Sequence, residues 1–187
     1  MTKSILLLIK KESKMNKLQR YVFLSLLTAA ALILSIIEGM IPLPYIAPGA
    51  KLGLSNIVIL TVIVVFGFKD ALLVVIIRSI LLMLIATNPI TFIYSIASGI
   101  VSTIIMSLGC RYLSGKLSLI GISVLGAMAH NATQVTVAAI LFTTFNLYYY
   151  LPILSLVSIF TGCFVGYTSI FVTDNLEKTL LKLRREA

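Results

Sequence analysis

The stretch Pro42-Leu-Pro-Tyr-Ile-Ala-Pro-Gly-Ala-Lys-Leu-Gly-Leu-Ser-Asn56 interrupts two long apolar runs. Its prolines and glycines rule out regular helix, because proline lacks a backbone donor and restricts the residue before it. The chain therefore has to turn, and a new helix is expected directly after Lys51. Unpaired backbone N–H groups, the positive end of the helix dipole and an ammonium group would then meet at one point, a physical recipe for holding an anion.

Outward from that turn, hydrocarbon dominates. Of the 187 residues, 59% are hydrophobic and only 11% charged, and the mean hydropathy is +1.10. So little polar surface does not cover a soluble globule, and the composition is that of an integral membrane protein. The net charge of +9 does not point to nucleic acid, which requires a basic face on a folded soluble domain. Here the basic residues flank the apolar runs. With roughly 17 to 25 residues needed per crossing, spans are predicted at 20–41, 52–68, 70–87, 90–112, 118–143 and 147–173. The fold class is all-α: a polytopic membrane protein with six transmembrane helices in one bundle.

Charge sets the direction of those helices. All of the 15 Lys and Arg residues except Lys51 and Arg78 fall on the side of the two termini or in the loops that share it. The positive-inside rule then predicts both termini in the cytoplasm. The expected organisation is a basic cytoplasmic or interfacial leader over residues 1–19, a transmembrane domain over 20–173 and a basic cytoplasmic tail over 174–187. The apolar run Ser4 to Ile9 is too short for a signal peptide, and Met15 offers an alternative start. Gly67-Phe-Lys-Asp70 and Asn88-Pro89 punctuate helical hairpins. Tyr148, Tyr149 and Tyr150 read as an aromatic belt at the outer face, or as a lid over a ligand.

Small residues at four-residue spacing allow close helix approach in lipid. Gly162 and Gly166 form such a pair and read mainly as internal packing. On the first span, Ser25 with Ala29 and Ala31 with Ser35 offer a face for docking another subunit.

Polar groups at membrane depth carry the functional reading. Arg78 lies near mid-bilayer, where a charge costs several kcal/mol unless it faces the bundle interior and finds partners. It pairs with Glu38 to lock two helices together, or binds an anion, a role that can be shared with that pairing, with Lys51 toward the same outer half. His130 and Asn131 occupy the middle of the fifth span, and Gln134 sits one turn from His130 on the same face. Asn56 has a similar depth. Glu38, Lys51, Asn56, Arg78, His130, Asn131 and Gln134 thus map to the outer half or midplane of the bundle. They predict a pocket, reached from outside, for a small ligand with an anionic head and an apolar body.

Catalytic and cofactor motifs are lacking: there is no phosphate-binding loop, dinucleotide fingerprint or nucleophile elbow. The paired aspartate motif that holds magnesium diphosphate in soluble prenyl synthases is also missing, with Asp70 and Asp174 far apart in sequence. Cys110 and Cys163 fall within predicted spans, where neither a disulfide nor a metal set is expected.

The ordered set of Glu38 with P-L-P, P-G-A-K-L-G-L-S-N at 48–56, Arg78, S-I-A-S-G at 95–99, S-V-L-G-A-M-A-H-N-x-x-Q at 123–134, then Y-Y-L-P and T-G resembles the Gx transporter family. That family is also known as heptaprenyl diphosphate synthase component I of the membrane type. The resemblance implies a fold like the substrate-binding S components of energy-coupling factor (ECF) transporters, with six helices and an outward-opening pocket. It also implies a docking face on the first helix for a coupling subunit driven by two ATPases. The synthase name implies instead a membrane helper, itself without catalytic residues, beside a soluble polyprenyl synthase that makes isoprenoid quinone precursors.

Overall fold

The computed structural model of the protein describes residues 16–40, 53–86 and 89–186. Within them lie six α-helices and no strand: α1 (Lys17–Met40), α2 (Asn56–Val65), α3 (Phe68–Ala86), α4 (Pro89–Leu108), α5 (Leu119–Leu141) and α6 (Leu151–Glu186). A π-turn, Gly109–Leu113, ends α4, and a 3-10 turn, Phe145–Tyr150, leads into α6. This is an α-helical membrane bundle. Most of the leader and of the quoted turn, Lys51 included, lie outside the described residues, as does Asn88.

Local chemistry sets several of these ends. Proline opens α4, where its missing N–H is not needed. The Ser118 hydroxyl caps α5 by accepting from the Gly121 amide at 3.2 Å. Gly67, at φ +94°, makes the sharp reversal between α2 and α3, a backbone conformation that other residues adopt at a cost.

The second helix differs from its predicted span of 52–68. It has only ten residues, about 15 Å of rise, and every residue from Asn56 to Val64 is buried. The physical reason is its position. Helix α2 touches all five other helices, while α1, α3, α4, α5 and α6 follow one another around it in that order. An axial rod of this kind has no lipid face to cover, so it need not match the hydrocarbon thickness that sets the length of a crossing helix. Its Ile59, Leu60 and Val62, fully enclosed, form the centre of the core with Val74, Val75, Met106 and Ile122. The wall turns the other way: Leu26, Phe160, Phe164 and Phe171 are exposed, as helices facing hydrocarbon require.

The last helix also departs from expectation. It does not end near 173 but continues unbroken to Glu186, 36 residues in all, or about 54 Å. The segment expected as a tail is therefore a helical extension of α6. At the same end of the bundle the Arg20 guanidinium bonds Asp70, with Nε and Nη2 at 2.8 Å and 2.6 Å from one carboxylate oxygen. This pair ties α1 to α3, a partnership that sequence spacing does not reveal.

Helices α5 and α6 share the most extensive contact in the bundle, and Gly162 and Gly166 make it possible. A Cβ at either position would lie 2.6 Å from a backbone Cα of α5, that of Val124 or of Ile120. A Cβ on Gly39, by contrast, would meet nothing within 4 Å among the described residues. Gly162→Ala and Gly166→Ala are expected to destabilise the bundle by about 1–3 kcal/mol each through overpacking. Gly39→Ala should leave it unchanged to within ~0.5 kcal/mol. Reversible unfolding in mixed detergent micelles measures the difference, and equal stabilities for all three variants would contradict the close approach.

Candidate functional site

Inside this apolar wall the polar side chains of five helices converge. Arg78, at the middle of α3, is 2% exposed, and Glu38 on α1 is 4% exposed. They line one small cavity with Ser35, Ser55, Ser95, His130 and Gln134. Its volume is about 10 Å³, roughly the space of a single water.

The bonding pattern around Arg78 is specific. Its Nη1 donates to the Ser35 hydroxyl at 3.2 Å and also to the Ser55 hydroxyl. Buried Nε has no partner, and the only ion pair among the described residues is the one between Arg20 and Asp70. A buried guanidinium is thus held by neutral hydroxyls. Glu38 uses its Oε1 to accept the backbone N–H of Gly53, which lies at φ +79° just ahead of α2. The carboxylate thereby holds the entry to α2 against α1. A Cβ on Gly53 would stand 3.0 Å from the Asn56 amide nitrogen and 3.9 Å from the His130 ring, so glycine is required here on both conformational and steric grounds.

On α5, His130 and Gln134 meet through their side-chain nitrogens at 3.2 Å, one helical turn apart and both turned toward the cavity. Asn56 is 2% exposed, and neither its amide nitrogen nor its amide oxygen has a hydrogen-bond partner. It sits at the start of α2 beside His130 and Gly53. Such a buried amide has full capacity to donate and accept, and leaving it unsatisfied is costly in a water-free interior.

Asn131 does not join this group. Its Nδ2 donates to the Ser158 hydroxyl at 2.8 Å, on the side of α5 that meets α6, because consecutive helix residues point about 100° apart. The small-residue pairs of α1 also separate. Ser25 and Ala29 are exposed, whereas Ala31 is enclosed in the core and Ser35 lies beneath Arg78. Only the first pair is accessible to a partner.

Three serines that spacing alone does not single out, Ser35, Ser55 and Ser95, complete the lining. Serine in an apolar helix reads as a small packing residue, and its hydroxyl is usually satisfied by its own helix. Ser35 indeed donates to the Ala31 carbonyl at 2.8 Å while accepting from Arg78. The signal that could have found it is register, since Ser35 and Glu38 are i and i+3 on one face of α1.

Fold and site together define a polytopic helical membrane protein with a charged, hydroxyl-lined cluster enclosed at its centre. The chain belongs to the heptaprenyl diphosphate synthase component I family, whose family model matches residues 27–172. Comparison with curated proteins and with solved structures returns no match. The matched region contains Ser35, Glu38, Ser55, Arg78, Ser95, His130 and Gln134, so the whole lining lies inside the family's shared part.

A double-mutant cycle separates the cluster from the packing contacts beside it. Asn131→Ala and Ser158→Ala are expected to couple by about 0.6 kcal/mol, the usual size for interhelical bonds in membranes. Coupling between Asn131→Ala and Arg78→Ala should be near zero. Unfolding in detergent reads both, and strong coupling of Asn131 to Arg78 would contradict the separation.

Proposed function

We propose that this protein captures a small anionic or amphipathic molecule at the Arg78 cluster and assists its movement across the membrane, without catalysing a reaction on it. The observation that carries this reading is the buried guanidinium of Arg78, hydrogen-bonded only to Ser35 and Ser55. Placing a charge in a hydrocarbon interior is costly. A purely structural arginine would normally be neutralised by a carboxylate at bonding distance. With Glu38 in the same cavity but not at bonding distance, and with Nε unbonded, the guanidinium keeps donors suited to a negative group that arrives and leaves.

Asn56, His130 and Gln134 would orient the rest of the ligand, and Lys51 on the preceding turn would add a second cation. The cavity has room for about one water, so the bundle must widen to admit a ligand. The bond from Gly53 to Glu38 is the contact that such widening would break. The charge distribution supports an orientation with both termini in the cytoplasm of a bacterial cell and the ligand entering from outside. The resemblance to ECF S components supports a coupling subunit and ATPases as the energy source, and the exposed Ser25/Ala29 strip of α1 is the surface available to them.

The family match favours a second reading. As component I of a heptaprenyl diphosphate synthase, the protein would hold an anionic isoprenoid or anchor a soluble synthase at the membrane. The same pocket would then serve a lipid diphosphate. Co-purification with a soluble polyprenyl synthase, and a change in that enzyme's rate or product length in reconstituted vesicles, would support this role over transport.

The reading is tested at Arg78. In Arg78→Ala, specific uptake of anionic ligand by proteoliposomes or binding to the purified protein is expected to fall to background while the helical bundle persists by circular dichroism. Undiminished binding would remove the anion site. Loss of the folded bundle with binding intact in whatever folded fraction remains would make Arg78 a structural residue.

A further inference from the structure

Arginine has two ways to present a pair of parallel N–H donors, and the structure distinguishes them. Five N–H groups radiate from the guanidinium in a fixed plane. At Arg78 the bonds to α1 and to Ser55 both leave from Nη1. Nε, on the opposite edge, is buried without a partner. Nη2, which shares that edge with Nε, faces α4 at Gly99, where a Cβ would stand only 3.1 Å from it and 2.8 Å from Val75 Cγ1. One turn earlier on α4, Ser95 lines the cavity that Arg78 lines and shares a hydrogen bond of 3.2 Å with Ser79. Ser95, Ser98 and Ser102 are all buried.

We infer that the Nε/Nη2 edge of Arg78 is the ligand-binding fork. It would take an oxyanion that offers two coplanar oxygens, a carboxylate or the terminal group of a phosphate ester, on the α4 side of the cavity, where Ser95 lines it and Gly99 lets Nη2 approach the helix closely. This inference rests on the anion-binding reading above and moves its anchor. The α4 side of Arg78, rather than the N-terminus of α2, receives the charged head. Parallel donors at fixed spacing match a two-oxygen acceptor and give charge-assisted bonds of roughly twice the usual strength. Lysine has the charge but not the fork.

Two features place the anion on this edge. Glu38 belongs to α1, as Ser35 does, and bonds the amide of Gly53, two residues ahead of Ser55. The α4 side carries hydroxyls instead. Those of Ser98, Ser102 and Thr103 are spent on carbonyls of their own helix, with Ser102 and Thr103 both donating to the Gly99 carbonyl at 3.2 Å and 2.7 Å. The bond between Ser95 and Ser79 is the one that can be exchanged for a ligand oxygen without freeing a backbone group.

The test uses the full chain in lipid nanodiscs with dodecanoate and farnesyl diphosphate as probes, and dodecanol as the uncharged control. Binding is read by native mass spectrometry titration. The wild type is expected to bind at least one anionic probe and not dodecanol, and whichever probe binds identifies the head as carboxylate or diphosphate. Arg78→Lys should weaken that binding by roughly tenfold or more. Gly99→Ala should do the same by crowding Nη2, and because its Cβ also meets Val75, Gly99→Ala combined with Val75→Ala keeps that crowding while relieving the clash with Val75. If Arg78→Ala abolishes binding but Arg78→Lys and the Gly99/Val75 double variant bind like the wild type, the fork is overturned and the anion site stands. If neither anionic probe binds the wild type, or dodecanol binds equally well, both fall.

Discussion

A guanidinium enclosed in hydrocarbon is the constraint on which the rest of this structure depends. Arg78 cannot reach water, and its surroundings must replace water with oriented hydroxyls. This explains why serines, rather than alanines, stand at Ser35 on α1 and at Ser55 just ahead of α2. It also explains why Glu38, Arg78 and His130, from separate helices, share one cavity. Each polar group is expensive alone in a region without water, and cheapest when gathered with the others.

The short axial helix follows from the same requirement. If α2 crossed the whole bilayer on the axis, the centre of the bundle would be solid hydrocarbon. Ending instead at Asn56, it leaves its first turn, Gly53 and Ser55 to meet Glu38 and Arg78. Val62, Val74, Met106 and Ile122 build the apolar core that packs the same helices together. The rigid α5–α6 pair, drawn close by Gly162 and Gly166, supplies the wall against which His130 and Gln134 are set. By contrast, among the described residues α1 packs chiefly on α2 and α3. It is joined to α3 by the Arg20–Asp70 pair at one end and by the Arg78–Ser35 bond nearer the other, and it is the helix with the fewest contacts to break.

The class of fold was legible from composition and span length, because hydrocarbon thickness imposes a length on every crossing helix. What periodicity could not show was the radial position of each helix. An apolar run reads alike whether it faces lipid or the core, so α2 was taken as a full crossing although it is a buried half-length rod. The polar residues were legible as outliers, since a charge or amide at membrane depth is rare. Their partners were not. Asn131 looked like a neighbour of His130 in sequence, yet a rotation of one residue sends it to Ser158. Ser35 looked like part of a docking face because smallness and hydrogen-bonding capacity are the same letter in the sequence. The extension of α6 is not legible because the fall in hydropathy at Asp174 marks the end of the apolar run and not the end of the helix.

The central claim is that a negative molecule occupies the space beside Arg78, and the most direct measurement is the mass of the protein as it leaves the membrane. Native mass spectrometry of the wild type, ejected from membrane vesicles without detergent exchange, is expected to show a species carrying one small anionic adduct. The folded Arg78→Ala variant, expressed alongside it, should show only the bare chain. Identical ligand-free spectra for both proteins, or the same adduct on both, would contradict the claim.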